Sequence, residues 1–345
     1  MRRLYHQTGQ NMLSNFFYRK QRALYFCLLS TLESMLAFGQ ISNPSELHTQ
    51  IEREHGIKLL TITGGVFPHV DEEKTRLETS FDVPPRRLRK MLHEEFKLRN
   101  DGNAIKSFYL GATEISRGQM ESVYRGLYPF QQAEISSNPF MPWQNNNASA
   151  PAGNFNFGEA AMFCNALSRL YELPEYYRFS LVIKPESPED DTTHVGIGNW
   201  SALLYSIEVP ERDGKGFRLP TILEWEYACR AGASTAYSFG DNPKDICEHG
   251  CNSECKDEKG RKPQRPVSCG SYKANPWGFY DLHGNVWEWC MGRFKGNRLC
   301  DQQYLKGGSV NSTIFELRCS YVRLESTDAC GFEDFGFGLR IARNQ

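Results

Sequence analysis

Residues 278–289 read Gly-Phe-Tyr-Asp-Leu-His-Gly-Asn-Val-Trp-Glu-Trp. Two carboxylates, Asp281 and Glu288, stand on either side of a turn formed by Gly284 and Asn285. Such a turn can direct backbone carbonyl oxygens inward, and calcium prefers a mixture of carboxylate and carbonyl ligands. The stretch therefore predicts a structural calcium site. A plain tight turn, in which the two carboxylates cap local amides, is the alternative.

Three further blocks accompany this stretch in a fixed order along the chain. They are Gly64 to Phe67 with residues 108–116, residues 216–228, and residues 306–309 with residues 338–342. Two of them contain capping boxes, which mark helix starts: Ser116 with Gln119, and Thr221 with Glu224. Between these boxes, residues 157–171 carry apolar side chains at helical spacing and predict another helix. Upstream, Ser45 before an acidic first turn predicts a helix start and Gly56 its end, and a charged helix is predicted over residues 86–97.

The four ordered blocks resemble the signature motifs of the formylglycine-generating enzyme (sulfatase-modifying factor) superfamily. The resemblance covers roughly residues 60 to 342. It implies an α+β, C-type-lectin-like fold with small antiparallel sheets, several helices and much irregular loop. The chain would then divide into an N-terminal helical extension, or export or docking segment, over residues 1–56 and the lectin-like domain over residues 57–345.

The resemblance also implies a ligand set for the calcium ion. It consists of the side chain of Asp281, the backbone carbonyl oxygens of Gly284 and Val286, and the carboxylate of Glu288. The ion would fix the loop rather than take part in chemistry. Trp225, Trp287 and Trp289 are predicted to pack as core around this loop, and stacking on a sugar is the alternative.

Enzymes of this superfamily oxidise a substrate cysteine with copper held by two cysteines that follow the Gly-Gly-Ser motif. Counting forward from Ser309 places those two positions at Ser312 and Leu317. A hydroxyl and an isobutyl group cannot replace two thiolates as ligands of copper(I). No copper, no catalytic residue and no oxidase activity are therefore expected, unless a shifted loop pairs Cys319 with Cys330.

The iron-dependent sulfoxide synthases of the superfamily carry a His-x3-His-x-Glu motif in an N-terminal helical domain. Only His48 and His55 occupy the equivalent region here. Their spacing does not stack them on one turn of a helix. The sequence predicts no iron site.

The formal net charge of −1 gives no sign of a basic surface, so nucleic acid is not an expected partner. The chain has eleven cysteines. Cys164 and Cys229 lie on apolar helical faces and are predicted to be small buried hydrophobes. Cys247, Cys251 and Cys255 are evenly spaced in a polar loop, where a metal site, a local disulfide and free thiols all remain open.

The N-terminus leaves the localisation open. A basic cluster at residues 19–22 precedes the apolar run of residues 23–29, which is typical of an export signal, but Glu33 interrupts the apolar character that follows. The alternative is an amphipathic helix packed on the domain of a cytoplasmic protein. Any membrane association is expected only through this segment, and the sequence does not indicate an oligomeric state.

The C-terminal segment has an unusual composition. Nearly all residues in the stretches 310–315, 319–322 and 326–332 are reachable from an asparagine codon by changing only its adenines. They alternate with a sparse frame made of Gly307, Gly308, Ser309, Arg318, Arg323, Gly336 and Arg340. The pattern resembles the variable region of diversity-generating retroelement proteins, which display varied side chains on a rigid lectin-like scaffold to bind different ligands.

This resemblance predicts a ligand-binding surface for a protein or another macromolecule. The predicted ligand-binding residues are Val310, Asn311, Ser312, Thr313, Ile314, Phe315, Ser320, Tyr321, Val322, Leu324, Ser326, Thr327, Asp328, Phe332 and Phe335. A binding protein of fixed specificity is one alternative. Others are a divergent formylglycine-generating-type oxidoreductase acting on a protein or small thiol, and an assembly protein that docks a partner through residues 1–56.

Overall fold

The computed structural model of the protein describes residues 43–66, 104–127, 147–182, 204–256, 260–263, 265–329, 331 and 336–345. The predicted export segment and a charged helix predicted over residues 86–97 lie outside these residues. The α-helices of the described part are α1 (Pro44–His55), α2 (Arg117–Leu127), α3 (Phe157–Leu170), α4 (Ile222–Arg230) and α5 (Ile246–His249). Two short 3-10 helices span Pro243–Asp245 and Ile314–Leu317.

The strands are short, as expected for a fold rich in loops. They are β1 (Leu59–Ile62), β2 (Phe108–Gly111), β3 (Arg178–Val182), β4 (Leu204–Glu208), β5 (Phe217–Arg218), β6 (Trp287–Cys290), β7 (Phe294–Lys295), β8 (Arg298–Leu299), β9 (Gln302–Lys306), β10 (Arg323–Ser326), β11 (Phe337–Gly338) and β12 (Ala342–Asn344).

In the described part of the chain these strands form three small sheets. Their strand orders are β1-β2-β12-β5, β10-β9-β6-β11 and β3-β4-β8-β7. The first sheet joins distant parts of the chain, because Leu110 of β2 pairs with both Leu60 of β1 and Ala342 of β12. In the first two sheets the pairings are antiparallel except that of β11 with β6, and β8 of the third sheet pairs antiparallel with both β4 and β7. The α+β, C-type-lectin-like fold predicted from the sequence is confirmed.

The helices begin where the sequence indicates. The side chain of Thr221 accepts a hydrogen bond from the backbone of Glu224, whose carboxylate in turn accepts one from the backbone of Thr221. Ser116 and Gln119 make the same exchange at the start of α2. Each exchange satisfies two backbone donors that a helix start would otherwise leave unpaired.

Helix α1 belongs to the same core as the domain that follows it. Its first residue is Pro44, one position before the predicted start, because the Asn43 side chain caps the helix by accepting from Ser45. It ends at Gly56, as predicted, with the left-handed φ of 66° that glycine tolerates. On its buried face, Leu47 and Ile51 join the main core cluster. No helix of the described residues is long and apolar enough to cross a membrane.

The tryptophans of the signature motifs are core, as predicted. Trp225, Trp287 and Trp289 are at most 1% exposed. Two of them use their indole N–H groups inside the core: Trp225 donates to Glu288 Oε2 at 2.6 Å, and Trp289 donates to the carbonyl oxygen of Phe155 at 2.8 Å. Stacking on a sugar is excluded for rings so deeply buried.

A buried ion pair joins two of the sheets. Glu288 of β6 and Arg340, which precedes β12, are both fully buried, with Nη2 to Oε1 at 2.7 Å and Nε to Oε2 at 3.0 Å. Arg340 also donates to the carbonyl oxygens of Gly111, at the end of β2, and of Tyr280, each at 2.9 Å. Tyr280 lies near the start of residues 278–289, which we call the signature turn. One guanidinium therefore holds β2, β6 and the turn in register.

We predict that Arg340→Met lowers the free energy of unfolding by about 3–5 kcal/mol, because it leaves the Glu288 carboxylate buried and unpaired. Urea denaturation followed by circular dichroism measures the change. The matched control is Lys273→Met, which breaks an ion pair with Glu248 whose side chains are 64% and 61% exposed. It should leave the midpoint unchanged, since exposed pairs stabilise little. Equal shifts in the two variants would contradict the role given to the buried pair.

Candidate functional site

The predicted ligand-binding surface divides into an interior and an exterior part. Val310, Ser312 and Ser320 are 0%, 4% and 1% exposed, so they cannot contact a ligand from these positions. Their assignment to the surface is corrected: although they are residue types that adenine changes can produce, their side chains are buried in the domain. Phe332 and Phe335 lie outside the described residues.

The remaining ten predicted residues are exposed or half-buried, and we call them the display surface. Its members are Asn311, Thr313, Ile314, Phe315, Tyr321, Val322, Leu324, Ser326, Thr327 and Asp328. Leu324 is 45% exposed, which is unusual for a leucine of this domain. It lies on β10, at the edge of its sheet, where β9 pairs on one side.

The backbone beneath the display surface is fixed by a turn that only glycine fits well. Gly307 and Gly308 have φ values of 90° and 81°, in the left-handed region that L side chains rarely adopt. Beyond them, Val310 N–H donates to the carbonyl oxygen of Asn285, which ties the segment to the signature turn. A capping box between Thr313 and Glu316 then starts the 3-10 helix.

Arg318 supports the display surface from below. Its side chain is fully buried, and its guanidinium lies 3.9 Å from the ring centroid of Phe315. It also donates to the carbonyl oxygen of Phe315 at 2.9 Å and to Ser320 Oγ at 3.0 Å. Tyr321 packs edge-on against Phe315 at 5.8 Å between ring centroids. The two aromatic rings are therefore held in place by a buried cation rather than by each other alone.

The frame read from the sequence is almost entirely interior. All of its residues except the partly buried Arg323 are buried. Side chains that stay constant would thus be those that hold the backbone, and side chains free to change would be those that face solvent. This division is what a scaffold for variable residues requires.

The two positions where the family carries copper-binding thiols are occupied by Ser312 and Leu317. Both flank Gly308: a Cβ added there would lie 3.3 Å from the Ser312 side chain and 3.4 Å from Leu317 Cγ. Ser312 Oγ accepts from the backbone of Ser309, and Leu317 is fully buried. Neither offers a soft donor to copper. Cys330, the other predicted partner for Cys319, lies outside the described residues.

The predicted calcium ligands do not all fit the ion. Both carboxylate oxygens of Glu288 accept from Arg340, and one also accepts from Trp225, so this carboxylate is engaged by donors. Asp281 fits better: one oxygen accepts from the backbone of Gly270, while Oδ1 is buried with no hydrogen-bond donor among the described residues.

Glu114 joins Asp281 in what we call the carboxyl pair. Its Oε2 atom is also buried without a donor in the described part of the chain, while Oε1 accepts from Asn285 at 3.1 Å. Burial, followed by the nearby Asp281 charge, raises the pKa of Glu114 well above its usual range, and burial raises that of Asp281. Two such carboxyls in contact must share a proton or bind a cation. Glu114 lies in one of the signature blocks of the sequence, but its closeness to Asp281 is apparent only from the folded structure.

The carboxyl pair gives the calcium expectation a specific test. We predict that calcium raises the melting temperature of chelator-treated protein by several degrees, because an ion at a hundred times its dissociation constant adds about 2.7 kcal/mol. Asp281→Asn should abolish the rise. The exposed Asp213→Asn is the control and should retain it. Wild-type protein whose melting temperature does not respond to calcium would show that the pair shares a proton instead.

Five cysteines of the described residues lie in three different environments. Cys247 and Cys255 form a disulfide, which settles one of the alternatives left open by the sequence, while Cys251 is a buried free thiol. Cys229 lies beside Cys319, with 3.3 Å between the sulfur atoms. Together with His283 these two form the one metal-competent group of His, Cys, Asp and Glu side chains in the described residues, and we call it the thiol cluster.

A separate cleft of about 430 Å³ contains none of the predicted site residues. Its charged lining comes from Lys106, Arg212, Asp213, Lys215, Arg218 and Glu224. Arg218 is committed to Glu224 in a buried ion pair, and Lys106 pairs with Asp213. Both carboxylates of the lining are therefore engaged by these two cations, and Arg212 and Lys215 are its further basic side chains.

Comparisons with known proteins agree with this architecture. The Sulfatase-modifying factor enzyme 1-like domain matches residues 47–345. Chaperone protein LppX of Paenibacillus barcinonensis is 27% identical over 247 residues, which cover 66% of this chain and 81% of that protein. The formylglycine-generating enzyme of Mycobacterium tuberculosis is 39% identical, but only over 90 residues, 23% of this chain and 28% of that enzyme.

Among solved structures, Treponema denticola variable protein 1 superposes with a TM-score of 0.55 at 18% identity, over 84% of this chain and 95% of that one. At this identity the likeness shows the fold alone. The domain match spans most of the chain, and the signature motifs occupy the core positions described above. The chain belongs to the sulfatase-modifying factor (formylglycine-generating enzyme-like) family.

Proposed function

We propose that this protein is a non-catalytic binding protein that presents its display surface to a protein or another macromolecule. One observation carries the proposal: the segment that holds the catalytic thiols in the enzymes of the family here has Ser312 and Leu317 at those positions, both buried. The same segment turns its neighbouring side chains toward solvent. Its chemistry is therefore suited to contact and not to oxidation.

The composition of the display surface supports binding. Small hydroxyl side chains alternate with Phe315, Tyr321 and Leu324, a mixture that supplies both adaptable hydrogen bonds and apolar anchors. Half-buried rings lose little conformational entropy on binding, because their positions are already fixed by Arg318. A preorganised surface of this kind favours affinity without an enclosed pocket.

We further propose that the display surface is diversified, in the manner of the variable proteins of diversity-generating retroelements. Support comes from residue type and exposure together: the frame is buried, whereas the display surface faces solvent and all ten of its members are residue types that adenine changes in an asparagine codon can produce. The fold is shared with a protein named for its variability. The buried Val310, Ser312 and Ser320 restrict the diversified positions to those that face solvent.

A library experiment tests whether the scaffold accommodates diversity. We predict that randomising the four most exposed positions of the display surface leaves most variants folded and yields binders to unrelated protein targets. Those positions are Asn311, Thr313, Leu324 and Asp328. Surface substitutions usually change stability by less than about 0.5 kcal/mol. Protease resistance of displayed variants measures folding, and selection on immobilised targets measures binding.

The matched control library randomises four buried positions of the same segment, namely Val310, Ser312, Leu317 and Ser320. Most of its members should lose protease resistance, because core substitutions leave cavities or bury polar groups. Equal losses in the two libraries, or a folded exposed library that never yields a binder, would argue against the proposal.

The oxidoreductase alternative makes the opposite prediction. We expect protein supplied with copper, oxygen and a cysteine-containing peptide to leave the peptide cysteine unmodified, because Ser312 and Leu317 cannot hold copper(I) in reach of a substrate. Mass spectrometry of the peptide gives the answer. Conversion of its cysteine to an aldehyde above the level of a protein-free control would overturn the non-catalytic proposal.

A further inference from the structure

The thiol cluster consists of three side chains from three distant segments. Cys229 lies near the end of α4, His283 in the signature turn, and Cys319 just after the 3-10 helix beneath the display surface. The two cysteines are fully buried and His283 is 2% exposed. Its Nε2 atom lies 3.9 Å from the Cys229 sulfur, and the three donor atoms all fall within 4.8 Å of one another.

The imidazole of His283 is oriented as a ligand. Its Nδ1 atom lies 2.8 Å from the carbonyl oxygen of Leu317. Since a carbonyl can only accept, Nδ1 carries the proton and Nε2 carries the lone pair. The backbone N–H of Ser238 points at Nε2 from 3.3 Å, which again requires a lone pair on that atom. A metal-binding histidine is commonly fixed in this way, with its other nitrogen donating to a backbone carbonyl.

The two sulfur atoms are within hydrogen-bond distance of each other, and their separation is nearer to that of two metal-bound thiolates than to that of a disulfide. Two thiolates on one tetrahedral metal ion lie about 3.8 Å apart, given a metal–sulfur distance of about 2.3 Å. The observed 3.3 Å would have to open by roughly 0.5 Å for an ion, but to close by roughly 1.3 Å for a disulfide bond.

We propose that Cys229, His283 and Cys319 bind a thiophilic metal ion, zinc or copper(I), as a structural site. Thiolate and imidazole donors select such ions over calcium or magnesium. The site is closed, because no donor reaches solvent, so the ion cannot meet a substrate. It would clamp α4, the signature turn and the base of the display surface to one another. The inference is independent of the ligand that the display surface binds.

Coordination number distinguishes the two ions. Copper(I) is satisfied by three donors, whereas zinc takes a fourth. The Ser238 hydroxyl donates to His283 Nε2 from 2.8 Å, so either ion would have to displace this hydrogen bond. Cys229, His283 and Cys319 by themselves therefore satisfy copper(I) but leave one position of zinc to be filled.

The test uses the full chain, reduced and stripped of metal under argon, then loaded with zinc or copper(I) in separate arms. After removal of loosely held ions with a competing chelator, the wild type should retain one equivalent more than the double variant Cys229→Ala, Cys319→Ala. The control Cys164→Ala removes a thiol that is equally buried but lies elsewhere in the core, and it should match the wild type. His283→Gln, which keeps both thiols, should weaken retention by more than roughly a hundredfold.

Two readouts do not depend on how well the variants fold. Metal added to stripped wild-type protein should raise its melting temperature. X-ray absorption should show two sulfur ligands at about 2.3 Å and nitrogen at about 2.0 Å. Metal content equal in the wild type and the double variant would overturn the proposal. So would a disulfide between Cys229 and Cys319 in protein alkylated and digested directly from cells.

Discussion

The guanidinium of Arg340 donates to Glu288, Gly111 and Tyr280 in a space from which water is excluded. Taking two charges out of water costs several kcal/mol per ion, and only complete pairing offsets this cost. The pair is complete here, because Trp225 satisfies Glu288 as well. Short strands of two to five residues cannot fix their own positions, so this one network sets how the sheets and the signature turn meet.

The segment that carries the display surface is attached to the signature turn by a backbone hydrogen bond: Val310 N–H donates to the carbonyl oxygen of Asn285. Gly307 and Gly308, both with positive φ, set the direction of the chain that follows. Arg318 is a second buried arginine that fixes the backbone around it: its guanidinium lies over the Phe315 ring and donates to Ser320 Oγ. The display surface thus rests on rigid charged groups inside the domain, while Phe315, Tyr321 and Val322 also pack against the core clusters.

Local rules predicted the local structure. The capping boxes at Ser116 and Thr221 and the end of α1 at Gly56 depend on residues a few positions apart, and each was readable from spacing. The buried tryptophans followed from the family resemblance. The disulfide between Cys247 and Cys255 was only one of several alternatives, because spacing alone does not decide between a metal and a bond.

Contacts between distant residues were beyond the sequence. Glu114 meets Asp281 from 167 positions away, and Arg340, 52 positions away, donates to Glu288, a member of the predicted calcium set. Cys229, first interpreted as a small hydrophobe, meets Cys319 across 90 positions. In the same way Val310 and Ser320 are residue types like those of their exposed neighbours, yet the fold buries both side chains.

The measurement that most directly tests a diversified display surface is the sequence of the encoding locus and its flanks. A near-copy of the codons for residues 310–335, differing only at adenines and lying beside a reverse transcriptase gene, is the predicted result. The differences should fall on solvent-facing positions such as Thr313 and Leu324, and spare the frame at Gly308 and Arg318. A locus without such a copy would contradict diversification and leave a binding protein of fixed specificity.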